Sequence, residues 1–184
     1  MDTTATGGSV TYLGRRKTES VRLDSVEWGW LGIKGTWVAD REQQTAAWEM
    51  YVELITRIAI QPLGDDEGLD REALSSLYSL FSETRRILKT HGPSVAEPVK
   101  KGTVSFGQLA VLVLNKLLRP FLSKWHPQLS AHEASRPANV SQLQHERNWN
   151  DQHQKFREEL RELARRLRQY AALLAEAAGI EPIA

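Results

Sequence analysis

From Ser141 to Ala178 neither proline nor glycine interrupts the chain, and this stretch constrains the fold more than any other. A run of this kind reads as one helix, about 55 Å long at ~1.5 Å per residue. Ser141 and Gln144 have the spacing of a capping box at its start, and Gly179 is a natural stop. Trp149, Phe156, Leu163, Tyr170 and Ala177 recur every seven residues, with Leu160, Leu167 and Leu174 at the intervening positions. A seam like this has to be buried against other helices, so the sequence predicts a bundle. The segment "REELRELARRLRQ" carries Glu and Arg at spacings of three and four, the pattern of a solvated and internally paired face.

Three further helices supply the packing partners. Asp40, with Gln43 three residues later, opens the first, whose stripe is Ala47, Tyr51, Leu54, Ile55 and Ile58 and which stops at Pro62. Asp70 caps the second, with Leu69 and Leu74 at staple positions and Leu74, Leu77, Tyr78, Phe81 and Leu88 along one face. "KTHGP" ends it: Lys89 and His91 suit the negative end of the helix dipole, Gly92 the left-handed cap, and Pro93 prevents continuation. "PSVAEPVKKG" then reads as a linker.

Ser105 and Gln108 form a capping box that opens the third helix. From Phe106 to Leu118 it is apolar nearly all round, which predicts a central, surrounded helix. Pro120 cannot donate to the carbonyl of Lys116, so a kink or break is expected near 116–120, and Pro127 sets the end. Its uncharged part, Val104 to Asn115, is far shorter than the ~20 residues a membrane-spanning helix needs.

Ahead of the helices the period changes from helical to twofold. Val10 and Tyr12, Val21 and Leu23, and Val26 and Trp28 alternate with polar residues, and "GRRKTE" is a plausible turn. "WGWLGIKGTWV" carries too many glycines for a helix and fits tight turns or a short bent strand. A small antiparallel element of two or three strands results, and it has to pack on helices to be stable. Its tryptophans read as a lid over the first helix or, if exposed, as a contact surface. The fold class is therefore mainly α, at the margin of α+β: a four-helix-type bundle with a long C-terminal helix. Residues 1–9 are read as a disordered tail and 10–184 as one domain, with the hairpin region at 10–38 and the bundle at 40–178.

Composition narrows the chemistry. With 184 residues the chain can build its own core, and the absence of cysteine removes disulfides, thiolate zinc sites and thiol catalysis. A net charge of +1 gives no global attraction to nucleic acid. No positively charged leader precedes an apolar run, and the expected location is cytoplasmic. Phosphate-loop, nucleophile-elbow, HExxH and EF-hand patterns are missing. His145 and His153 are eight residues apart with no carboxylate one turn before either, so neither metal nor cofactor is expected.

Two patterns remain. On the third helix Asn115, Arg119 and His126 share a face of an otherwise apolar element. Such polar groups need partners or a cavity, and a ligand pocket near the Pro120 kink with Trp125 as a wall is one reading. The second pattern is Arg followed at short spacing by His: Arg86 and His91, Arg119 and His126, and Arg147 and His153, the last with Asn148 directly after the Arg. It resembles the Rx4-6H motif of HEPN domains, small helical bundles that often act as metal-independent ribonucleases. The resemblance implies that Arg147 stabilises phosphate charge and His153 acts as acid or base, in a site usually shared across a dimer.

The reading preferred over a ribonuclease is a non-enzymatic interaction, assembly or regulatory subunit. The last helix outruns the ~37 Å third helix, so its seam of Phe156, Leu160, Leu163, Leu167, Tyr170 and Leu174 is expected to overhang and to meet a protein partner or a second copy.

Overall fold

The computed structural model describes residues 25–30, 33–61, 64 and 67–183. The expected tail at 1–9 and the strand positions Val10, Tyr12, Val21 and Leu23 lie outside the described residues, as do the side chains of Trp28 and Trp30. The fold is mainly helical. Strands β1 (Ser25–Trp30) and β2 (Ile33–Val38) pair antiparallel, from Ser25 opposite Val38 to Trp30 opposite Ile33. The glycine-rich segment therefore forms the hairpin itself. Helices α1 (Arg41–Ile55) and α2 (Asp70–His91) follow, then a 3-10 turn (Gly92–Ala96) and α3 (Phe106–Val113). A π-helical segment, Leu114–Leu118, joins α3 to α4 (Arg119–Ala134), and α5 (Gln142–Arg147) and α6 (Asn150–Ala177) complete the chain. Among the described residues no helix is long and apolar enough to cross a membrane.

One continuous core runs through the bundle. Helix α6 packs chiefly on α1, α1 also on α2, and α2 on α4. The hairpin is fixed by a buried glutamine. Gln43 accepts through Oε1 from Trp37 Nε1 (2.7 Å) and from the Phe106 amide (3.0 Å), and donates through Nε2 to the Glu97 carbonyl (3.0 Å). One side chain thus joins β2, α1, the turn after α2 and the start of α3, and leaves no buried polar atom of its own without a partner. Asp40 caps α1 by accepting from the Gln43 amide (2.9 Å), but the Gln43 side chain does not return to the cap as a capping box would. Trp37 is fully buried, the lid expected of it, and Val104 donates its amide to the Thr36 carbonyl (2.9 Å) beside it.

Several local expectations are corrected. Helix α1 ends at Ile55, ahead of Pro62. Asp70 is the first residue of α2 rather than its cap. The free amides of Asp70 and Arg71 instead donate to the carboxylate of Glu146 on α5, at 2.7 and 3.4 Å, a cap supplied from far along the chain. Helix α3 is not surrounded, since Val111 is 44% exposed. Its close approach to the turn after α2 rests on Gly107, where a Cβ would lie 3.1 Å from the Val95 carbonyl oxygen.

Pro120 does not break the chain of helices. The irregularity forms as a wide turn just before it, in which the Arg119 amide reaches the Leu114 carbonyl five residues back. Pro127 does not end α4 either, which continues to Ala134. Trp125 and Leu129 are fully buried on either side of it, and their packing outweighs the roughly 3 kcal/mol cost of an interior proline. The long C-terminal helix is interrupted at Asn148 and Trp149, with Asn150 at φ 47°. Asparagine tolerates this left-handed backbone better than other side chains, so the break needs no glycine.

Helix α2 stops at the expected glycine, but Gly92, at φ 70° and ψ −159°, has the positive φ that favours glycine without the left-handed helical ψ of the expected cap. There the buried His91 ring sits between two carboxylates, Nε2 at 2.9 Å from Glu49 and Nδ1 at 3.3 Å from Glu42. Carboxylates only accept, so the protonated ring, which donates from both nitrogens, suits this position better than the neutral one. Burial opposes that charge, but the bonds to Glu49 and Glu42 outweigh it, and the His91 pKa is raised above its usual 6.5. A raised folded-state value stabilises fully below pH ~6.5, and the benefit is lost as pH rises through the folded value. His91→Gln is expected to lower unfolding free energy by about 1 kcal/mol at pH 6, and the difference from the parent protein should shrink towards pH 9. Urea unfolding at the two pH values checks this. An equal or larger loss at the higher pH contradicts it.

Candidate functional site

Helices α2 and α4 run antiparallel, with α3 continuing the line of α4. At one end Arg71 binds the Glu133 carboxylate and Ser130 Oγ; further along, the rings of Tyr78 and His126 lie 6.2 Å apart; at the far end Leu88 touches Gly107. Between these crossings lies an open cleft of about 450 Å³. Its lining comes in two matched stripes. Tyr78, Phe81 and Arg85 project from α2 at i, i+3 and i+7; Arg119, Leu122 or Ser123, and His126 project from α4 at the same spacing. Phe81, Leu122 and Pro127 supply apolar surface to the lining.

The charge is one-sided. Arg85, Arg119 and His126 line the cleft, and no Asp or Glu does. Elsewhere arginines are matched with acids: Arg57 with Glu53, Arg71 with Glu133, Arg86 with Glu49 and Glu83, Arg165 and Arg166 with Glu162. Among the described residues Arg85 and Arg119 form no ion pair. Arg119 donates through Nε to Asn115 Oδ1 (3.1 Å), which steadies the guanidinium, and its terminal nitrogens make no hydrogen bond among the described residues. Tyr78, 61% exposed, stands at the mouth.

Of the four residues expected at a pocket, Arg119 and His126 line this cleft and Asn115 supports Arg119. Trp125 does not belong to it. Its ring points the other way, fully buried edge-on against Trp149 and Phe156, and its Nε1 donates to Glu159 on α6 (2.8 Å). One residue along a helix is a rotation of about 100°, so Trp125 and His126 cannot share a face. Tyr78 was visible in the sequence only as an apolar stripe residue, and Arg85 carried no signal there. Both become site residues because α2 crosses α4 where it does.

The expected interface is overturned by burial. Phe156, Leu167 and Leu174 have no exposed surface, and Leu160, Leu163 and Tyr170 are buried with them in the chain's own core. Helix α1 covers much of the seam, so no overhang is left for a partner.

Arg147 and His153 also separate. The exposed Arg147 ends α5 and His153 sits on α6, with the turn at Trp149 and Asn150 between them, so the Rx5H spacing does not describe one helical face. His153 Nδ1 contacts Asp70 Oδ2 at 2.7 Å. Asp70 is completely buried, and its other oxygen lies 2.7 Å from Arg157 Nε, while the Arg157 terminal nitrogens donate to the carbonyls of Glu67 and Gly68. Nearby, His132 and His145 stack at 3.9 Å, each Nε2 donating to the other's carbonyl at 2.8 Å, and Trp149 stacks on His132. These contacts clamp the start of α2 to α4, α5 and α6. Among the described residues no group of three or more acidic or histidine side chains is arranged to hold a metal.

No family model, no curated protein and no solved structure matches the chain.

Proposed function

We propose that the chain is a regulatory or interaction subunit without chemistry of its own, acting in an oligomer or larger complex, and that it recognises an anionic ligand in the cleft between α2 and α4. One observation carries this reading: Arg85 and Arg119 are brought to a concave surface that holds no acid. Two guanidiniums so placed match the oxygens of an anion, and the fork geometry of Arg favours groups with several oxygens. Against a catalytic role stands the surrounding of His126. Its neighbours in the cleft are Tyr78, Ser123 and Pro127, and no carboxylate lining the cleft orients it as a general base is oriented.

Sodium pyrophosphate is the simplest probe. Added to isotope-labelled protein, it should shift amide resonances saturably at residues 78–85 and 119–127, and the Arg85→Gln/Arg119→Gln double variant should lose the effect. Shifts scattered over the surface, or undiminished in the double variant, refute the reading.

A further inference from the structure

The cleft is not uniform along its length, and its two ends ask for different chemistry. Arg85 and Arg119 stand at one end, Tyr78 and His126 at the other. On each helix the ends are separated by seven residues, an axial distance of about 10 Å. Ser123 lies between them on α4. Its hydroxyl hydrogen goes to the Arg119 carbonyl (2.7 Å), so its oxygen is left as an acceptor facing the cleft. The lining therefore runs from cationic, through a hydrogen-bond acceptor, to aromatic.

We propose that the cleft binds a nucleoside phosphate unit. The phosphate would lie between Arg85 and Arg119, a sugar hydroxyl would donate to Ser123 Oγ, and the base would stack on Tyr78 beside His126. This rests on the preceding reading of the cleft as the recognition surface and names its ligand. Length decides against the nearest rival. In a phosphotyrosine the phosphate is attached directly to the ring, so a ring stacked on Tyr78 would hold the phosphate nearer the level of Ser123 than that of the two arginines. A nucleotide places a sugar between its phosphate and its planar group, which matches the separation of the two ends. The volume, about 450 Å³, falls in the range of small-ligand sites. The exposed Tyr78 ring offers the stacking platform on which single bases are commonly held. A free mononucleotide and one nucleotide of single-stranded RNA present the same chemistry to this cleft.

Calorimetric titration with 5′-AMP, adenosine, inorganic phosphate and pyrophosphate tests the proposal. 5′-AMP is expected to bind at least tenfold more tightly than phosphate or adenosine. Tyr78→Ala should weaken 5′-AMP about tenfold or more and leave pyrophosphate unchanged, whereas Arg85→Gln and Arg119→Gln should each weaken both. All three side chains are exposed, and circular dichroism melts will confirm that the variants fold. Pyrophosphate binding with no gain from the adenosine moiety overturns the nucleotide assignment while anion recognition stands. A phosphotyrosine peptide binding more tightly than 5′-AMP overturns it as well. If no anion saturates the cleft, both readings fall. A five-residue single-stranded RNA without terminal phosphate separates the sources: binding as tight as 5′-AMP supports the proposal with RNA as the donor of the unit, and binding of 5′-AMP alone supports it with the free nucleotide.

Discussion

Replacing Leu163 and Leu167 together by glutamate unfolds the chain. Both side chains are buried on α6, Leu167 completely and beside Met50 and Leu54 of α1, Leu163 beside Leu117 and Phe121. Each substitution removes a packed leucine and introduces a carboxylate, at a cost of more than about 4 kcal/mol at Leu167, whose surroundings hold no cation, and about 2–3 kcal/mol at Leu163, which borders Lys116, Lys124 and Arg166. Together the two losses, about 6 kcal/mol or more, reach the lower part of the ~5–15 kcal/mol that holds a domain together. The expected observations are loss of the cooperative thermal transition and of most helical circular dichroism at room temperature. A variant that keeps its helices and merely falls from a larger assembly to a monomer would show instead that the seam lies between chains.

Asp70→Ala is expected to cost about 3–5 kcal/mol, because it leaves the buried Arg157 guanidinium without its counter-charge. The same change removes the carboxylate that His153 contacts, so the N-terminal turns of α2 and α6 loosen together. Urea titration will show a lower midpoint at an unchanged slope. Asp70→Leu combined with Arg157→Met should recover a large part of the loss, since an apolar pair of similar volume has no charge to desolvate. The recovery stays incomplete, because Arg157 also binds the carbonyls of Glu67 and Gly68. A loss below about 1 kcal/mol for Asp70→Ala, the level of an exposed pair, would mean that water reaches the cluster.

What the sequence made legible was local. The capping box at Ser105 and Gln108 is present with both bonds, Ser105 accepting from the Gln108 amide at 3.2 Å and donating its amide to Gln108 Oε1 at 3.1 Å. The stop at Gly92 and the heptad seam are read just as directly, because they depend on residues within a turn or two of one another. The meaning of the seam was another matter: spacing shows that a face must be buried but not by whom, and here the chain's own helices do it, α1 along much of the seam and Phe121 and Trp125 of α4 at Phe156. The cap of α2 was misassigned to Asp70 for the same reason. A carboxylate that arrives from Glu146 on α5 leaves no trace near the helix it caps. The break at Asn150 was hidden because asparagine, unlike proline or glycine, is compatible with both continuing and ending a helix. At the cleft, α4 showed its half in the spacing of Arg119 and His126. The other half, Tyr78 and Arg85, becomes visible only when two helices are laid side by side.

The wide turn at Leu114–Leu118 acts as a phase shifter. An extra residue in one turn advances everything downstream by about 100° relative to an unbroken α-helix. Upstream, α3 is registered to the core by Phe106, Leu109, Ala110 and Val113. Downstream, α4 follows its own register, in which Trp125 meets α6 while Arg119 and His126 face α2. Two sets of packing demands that no single regular helix could satisfy are thereby decoupled. The orientation of the cleft is set by how many residues that one turn holds, and not by how the core above it packs.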